Sequence, residues 1–368
     1  TVGNVNFRNV TTLGSNAGRY ATGSYNTFIG SYAGTGGQTS APLSSGQYNT
    51  ALGFEAMENF TTANYNVAIG YQAAEDLTTG YNNTVVGTLA GESLTSTIQT
   101  VLIGSYAGHA INSTDANGTI CIGNNAGQSI TSGQYNTIIG YNAGDALTDG
   151  DGSTIVGYEA GTALAVTGTR GSTLVGHEAG KALTQGGNNT AIGRGALKTQ
   201  TTGNSNVAIG DQAMQYTPAS TAITSVVAIG PSALGDGSGM STTGDGGVAI
   251  GSAAGNNIKN LAGNFVIIGR NAGQKINGTN VTHIGESAGL YASGSSNTYV
   301  GAFAGQGGTT SAPFSTGIQN TAVGHNALTN NTSGNYNVAI GYHAAYTGTT
   351  GGGNVAIGYQ ANYTNTTS

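Results

Sequence analysis

The side chains of this chain that could carry acid–base, nucleophilic or metal chemistry are five histidines, fifteen acidic residues and one cysteine. His109, His177, His283, His325 and His343 lie far apart, and none falls in a metal-ligand spacing, so they read as surface or loop residues. Asp149-Gly150-Asp151 and the stretch from Asp236 to Asp245 are Gly-Asp pieces that could supply oxygens to calcium. They lack the nonapeptide register of calcium-binding β-repeats, and plain turns are the favoured reading. Gly193-Arg194-Gly195 has neither the third glycine nor the following helix of a phosphate cradle. Cys121 stands alone, which excludes an internal disulfide and a Cys-rich zinc site. No Ser, His and acid constellation is tied to a plausible pocket. The expectation is a protein that is not an enzyme and holds no cofactor or metal.

Tyrosine is the remaining chemistry-bearing type, with 19 copies. Many fall at two repeated positions, as in Tyr71, Tyr141, Tyr158, Tyr342 and Tyr359, and in Tyr25, Tyr48, Tyr65, Tyr135 and Tyr336. A spine packing one structural repeat on the next is the favoured reading. The alternative is an exposed aromatic ladder that grips sugars or partner surfaces.

The elements that must hold these residues follow from an internal repeat. Asn-Thr-x-Ile-Gly-x-x-Ala-Gly recurs along the whole chain. Its first glycine is Gly14, Gly30, Gly53, Gly70, Gly87, Gly104, Gly123, Gly140, Gly157, Gly176, Gly193, Gly210, Gly230, Gly251, Gly269, Gly285, Gly301, Gly324, Gly341 and Gly358. The residue before this anchor is always Ile, Val or Leu, and the one two further back is always β-branched. The residue three after the anchor is always Ala. Ile69-Gly70 with Ala73, Ile139-Gly140 with Ala143, Ile209-Gly210 with Ala213, and Ile340-Gly341 with Ala344 illustrate the pattern.

Period-two aliphatics followed by a bend-permitting glycine describe a short strand ending in a turn. Asn at the strand start suits a turn and can bond to its copy in the next coil. A unit of this size cannot bury a core alone, but stacked copies can. The expected fold is therefore all-β: a parallel β-solenoid of about 20 coils, a single continuous array over residues 1–368. Helices are excluded by the period and by the glycines. The two β-branched columns are expected to face the coil interior. The residue between them is apolar in most coils, as in Ala68, Leu102, Ile138, Ile155, Ala208 and Ala228. A strand apolar on both faces is buried on both. These residues are expected to form a chain–chain contact, with a second sheet of the same chain as the alternative.

Residues 282–368 repeat 11–97 at a shift of 271 positions, including long loops that read alike: Pro42-Leu43 in one copy matches Pro313-Phe314 in the other. The loops Gly34 to Tyr48 and Gly305 to Gln319 are the candidate recognition segments. The second copy stops partway through, so the chain is expected to be a segment of a longer array. Charged residues make up only 7% and the net charge is −6. That leaves no basic stripe for nucleic acid and no cationic cluster for a lipid surface. No apolar run is long enough to span a membrane.

Asn66-Val67-Ala68-Ile69-Gly70, Asn206-Val207-Ala208-Ile209-Gly210 and Asn337-Val338-Ala339-Ile340-Gly341 resemble the head repeats of trimeric autotransporter adhesins. Similar repeats occur in bacteriophage tail fibres. The resemblance implies a left-handed β-roll in a homo-oligomeric, trimeric fibre that attaches to cells or matrix. It places the protein outside the cell or on its surface, with the virion tail as the alternative. An ice-binding solenoid ranks lowest among the functions, because the Thr columns are expected to point inward.

Overall fold

The computed structural model describes residues 9–37, 43–113, 116–165, 167–168, 171–216, 223–236, 246–258, 264–308 and 315–364. The chain forms two compact units, Thr1–Glu178 and Ala179–Ser368. The first contains β1 (Thr11–Leu13), β2 (Thr27–Ile29), β3 (Thr50–Leu52), β4 (Val67–Ile69), β5 (Thr84–Val86), β6 (Val101–Ile103), β7 (Ile120–Ile122), β8 (Thr137–Ile139), β9 (Asp149–Gly150), β10 (Thr154–Val156), β11 (Thr167–Gly168) and β12 (Thr173–Val175). The second contains β13 (Thr190–Ile192), β14 (Val207–Ile209), β15 (Val227–Ile229), β16 (Val248–Ile250), β17 (Val266–Ile268), β18 (Thr282–Ile284), β19 (Thr298–Val300), β20 (Thr321–Val323), β21 (Val338–Ile340) and β22 (Val355–Ile357).

Each unit is a parallel β-solenoid, as the repeat requires. Successive three-residue strands pair in chain order and in register: Val67, Ala68 and Ile69 lie opposite Thr84, Val85 and Val86, and so on from coil to coil. The same holds from β13 to β22. In the first unit β9 and β11 form a separate two-stranded pair. No helix among the described residues is long and apolar enough to cross a membrane.

The corners come from residues in the left-handed region. In the coil of β4 these are Tyr65 (φ 59) before the strand, and Gln72 (φ 51) and Ala74 (φ 50) after the anchor. The anchor glycine itself is at φ 142 in Gly70. Three left-handed residues and one such glycine per coil bend the chain through a full turn in few residues.

The interior is built from three columns. The middle residue of each strand after β1 is one; Phe28, Ala51, Ala68, Val85 and Leu102 are fully buried, whereas Thr12 of β1 is exposed. The invariant alanine is the second, with Ala73, Ala143, Ala213 and Ala344 fully buried. The residue seven after the anchor is the third, as in Leu77, Leu94, Ile111, Ile130 and Leu147. This overturns the expected assignment of faces. The middle residue points into its own coil, and the β-branched columns, including Ile69, Ile139, Ile209 and Ile340, point out. The burial pattern along β4 is intermediate, buried, intermediate.

A volume rule explains why the middle residue faces inward. Where it is large, the residue four after the anchor is glycine: Phe28 with Gly34, Leu102 with Gly108, Tyr299 with Gly305. A Cβ at Gly34 would lie 2.3 Å from the Phe28 ring, and one at Gly305 would lie 2.5 Å from the Tyr299 ring. Where the middle residue is Ala, that position is filled: Ala51 with Met57, Ala208 with Met214, Ala228 with Leu234. Ala249 with Gly255 departs from the rule. The two positions thus share one packing volume, and interiors this dense feel even one methylene. Ala68→Leu is expected to destabilise the first unit by about 1–3 kcal/mol through overpacking. Adding Ala74→Gly is expected to restore most of that loss, a coupling that chemical denaturation of the four-member mutant cycle measures.

The buried backbone N–H at the start of many strands is satisfied by an asparagine ladder. Asn49 N–H donates to Asn26 Oδ1 at 2.8 Å, Asn66 N–H to Asn49 Oδ1 at 3.0 Å, and Asn83 N–H to Asn66 Oδ1 at 3.0 Å. Their Nδ2 groups donate to backbone carbonyls on the next turn, Asn66 to Gly80 O at 2.9 Å and Asn83 to Thr97 O at 2.8 Å. The same ladder runs through Asn297, Asn320, Asn337 and Asn354. A buried amide satisfied on both ends is tolerated, and each one fixes the register of the coil above.

Candidate functional site

The feature that a closed solenoid does not need is its outward strand face. Each of the twenty three-residue strands directs two side chains outward, one Thr, Val or Ile and one Ile, Val or Leu. No charged residue occurs in either column. Leu52 is 43% exposed, Ile103 37% and Ile139 36% in the first unit; Ile192 is 39%, Val323 37% and Ile340 38% in the second. The expected contact residues Ala68, Leu102, Ile138, Ile155, Ala208 and Ala228 are each fully buried inside their own coil. They are not available to a second chain; the side chains that this strand face presents to solvent are those of the two outward columns. Because the Thr column is outward, the ground for ranking an ice-binding surface lowest is also removed.

Aromatic residues border this face on both sides. On the side that precedes each strand, Tyr25, Tyr48 and Tyr65 stack at 4.8 and 4.9 Å, with interplanar angles of 3° and 5°. On the side that follows, Phe54 stacks on Tyr71 at 5.6 Å and Tyr141 on Tyr158 at 5.4 Å. His177 stacks on Tyr158 at 5.1 Å, and Tyr342 stacks on both His325 and Tyr359 at 5.5 Å. In the second unit, Arg194 and Asp211 fill the same column with an ion pair at 2.8 Å, and Arg270 pairs with Glu286. Stacked rings cover one another's faces, so these runs act as coil-on-coil spines and offer a ligand only their edges.

The histidines divide. His109 meets Glu92 at 2.5 Å, and His343 meets Asn326 at 3.0 Å. His283 departs from the surface reading: it is fully buried as the middle residue of β18, stacked on buried Tyr299 at 4.9 Å. Neither of its ring nitrogens has a hydrogen-bond partner. Burial pulls its pKa from 6.5 down to about 3 and pushes the Tyr299 hydroxyl up. Asp149 lies in β9, where its Oδ1 accepts from Thr148 Oγ1 at 3.0 Å, and Asp151 Oδ1 accepts from Gln134 N–H of the preceding coil at 2.9 Å. Of the Asp236 to Asp245 stretch only Asp236 is among the described residues. Pro42, Pro313 and Phe314 lie outside them; Leu43 is half-buried. Cys121 is buried, and desolvation pushes its thiol up to about 12, which leaves it unreactive.

One cluster escapes sequence spacing. Glu55, Glu58 and Glu75 bring carboxylate oxygens within 4.8 Å of one another. Desolvation first, then Asp76, Glu55, Glu92 and Glu58, raise Glu75 to about 7. Stacking coils places like charges over one another, and a proton or a hard cation would relieve the repulsion.

The two groups give opposite pH dependences. His283 has a folded pKa below its ordinary value, so its contribution to stability is present above pH 6.5 and lost as pH falls toward about 3. Glu75 has a folded pKa above its ordinary 4.5, so its contribution is present below that value and lost as pH rises to about 7. Thermal melting across this range is expected to show His283→Ile removing acid lability and Glu75→Gln removing the neutral-pH loss. Unchanged profiles would place the lability elsewhere.

No family model matches the chain, and no curated protein matches it.

Proposed function

We propose that the chain is part of an extracellular structural and attachment fibre, assembled from copies of itself, with no catalytic role. The observation that carries this reading is the outward face. An uncharged aliphatic and threonine surface repeated in every coil is what a second layer would cover. A second copy carries the same face at the same coil spacing, so registers match over any length. Strands about 10 Å long, spaced about 4.8 Å, give roughly 500 Å² of flat face in each unit. A specific interface takes about 800 Å² from each partner, so the face of one unit alone falls short of a stable contact and gives a weak one that repetition strengthens. The resemblance to trimeric adhesin heads favours three chains and a role in attachment. Repetition along a fibre lets weak contacts sum by avidity.

Beads coated with the purified protein are expected to be retained on cells or matrix-coated surfaces under flow more strongly than albumin-coated beads. Equal retention would overturn the attachment half of the proposal and leave a shaft. A bacteriophage tail fibre is the same physical object on a virion.

A second reading has one observation in its favour. Thr11, Thr27 and Thr50, and likewise Thr137, Thr154 and Thr173, face outward in consecutive coils. A flat, regular threonine array is suited to ice. Thermal hysteresis of the purified protein would support that reading, and freezing indistinguishable from a buffer control would remove it.

A further inference from the structure

The tyrosine column that precedes the strands is closed by face-to-face stacking wherever tyrosines follow one another, but it has a gap. In chain order through the first unit its members are Asn9, Tyr25, Tyr48, Tyr65, Asn82, Gln99, Gly118, Tyr135, Gly152 and Gly171. Tyr135 therefore has glycine on both neighbouring coils. A Cβ at Gly118 would sit 3.0 Å from the Tyr135 ring, so the ring packs over Gly118 on that side. On the other side a Cβ at Gly152 would meet nothing within 4 Å. Tyr135 is 67% exposed, against 42% for Tyr25, 45% for Tyr48 and 58% for Tyr65 at the end of the filled stack. The space beside it is an open cleft of about 340 Å³ lined by Gln134, Tyr135, Asp151, Gly152 and Gly171.

We infer that this gap is a carbohydrate-binding site, in which a pyranose ring lies against the free face of Tyr135 in the place that a tyrosine of the next coil would otherwise occupy. Rings stacked across one coil step elsewhere sit 4.8 and 4.9 Å apart, the spacing that a flat ring lying on Tyr135 above Gly152 would take. The apolar C–H face of an equatorially substituted hexose fits an aromatic face, and the sugar hydroxyls need polar partners at the rim. Asp151 supplies a carboxylate acceptor and Gln134 an amide that both donates and accepts. Gly152 and Gly171 let the ligand approach the backbone. A cation would favour a cage of several rings, and only one lines this cleft. Tyr336 in the second unit, 60% exposed, also precedes a glycine with open surroundings, Gly353. Asn335 stands there in the place of Gln134, but Gly352 replaces the aspartate, so that position has the amide and lacks the carboxylate.

This site gives the attachment reading a ligand class and rests on that reading for its role, but its test does not depend on assembly. The probes are methyl β-glucoside, methyl β-galactoside and N-acetylglucosamine, observed by saturation-transfer difference NMR on the whole chain. Transfer is expected to concentrate on the C–H protons of one sugar face. Tyr135→Ala is expected to reduce it about tenfold. Gly152→Tyr closes the slot by completing the stack and is expected to do the same. The substitution fits the backbone, because Gly152 has φ 65 and Tyr25, Tyr48 and Tyr65 have φ 62, 58 and 59 in the same column. Gly152→Asn, a residue type the column carries at Asn82 with φ 59, keeps the slot open and is expected to retain binding. Sugar binding by a chain that sediments as a monomer would support the site while refuting the fibre. No transfer to any sugar, or transfer unchanged in Gly152→Tyr, overturns the proposal. Stronger binding of p-cresol or choline than of the sugars also overturns it and assigns the slot to an aromatic or cationic group.

Discussion

Gly87→Ala is expected to break the first unit at one coil. Gly87 lies at φ 142, and an added Cβ would lie 2.3 Å from the carbonyl oxygen of Gly104 in the next coil. Backbone strain of about 1–3 kcal/mol and overpacking of similar size act together, for a loss of about 3–5 kcal/mol. The obstacle is backbone, so no rotamer change relieves it. Repeat arrays hold together by nearest-neighbour contacts. Hydrogen exchange is therefore expected to show protection lost around β5 and β6 and kept at β2 and β3. Uniform protection like that of the parent would mean that the coil stack tolerates a side chain at the anchor.

Ala208→Asp is expected to unfold the second unit locally, and not merely to change its assembly. Ala208 is fully buried, in register between Ala191 and Ala228. A carboxylate there would have no partner, and burying it would cost about 3–5 kcal/mol. Ile192→Asp, on the outward face of the neighbouring strand, is expected to change the stability of the isolated chain by about 0.5 kcal/mol or less. Circular dichroism melts of the two variants separate the inward column from the outward one. Similar melting of both would return Ala208 to a surface.

Much of the fold was legible because the repeat is strict. The anchor glycines, the invariant alanines such as Ala143, and the asparagines such as Asn66 each have one physical role, and period alone reveals it. The facing of the strand was not read correctly, because alternation gives two faces without saying which is inside. The size exchange between Ala51 and Met57, or Phe28 and Gly34, carries that information, since only residues sharing a volume need to compensate. The Glu55, Glu58 and Glu75 cluster and the Tyr135 gap depend on which residues stack across coils of unequal length. His283 looked like a surface histidine because polar middle residues are rare; it is buried by its place in the strand.

Sedimentation of the parent and of an outward-face variant tests the central claim most directly. The variant carries Asp at Leu52, Ile103, Ile139, Ile192, Val323 and Ile340, exposed aliphatics away from the first and last strands. The parent is expected to sediment as one discrete oligomer, near three times the chain mass of 36.3 kDa. The variant is expected to sediment as a monomer with the parent's circular dichroism. A parent that sediments as a folded monomer, or a variant that keeps the parent's mass, would contradict assembly through the outward strand face.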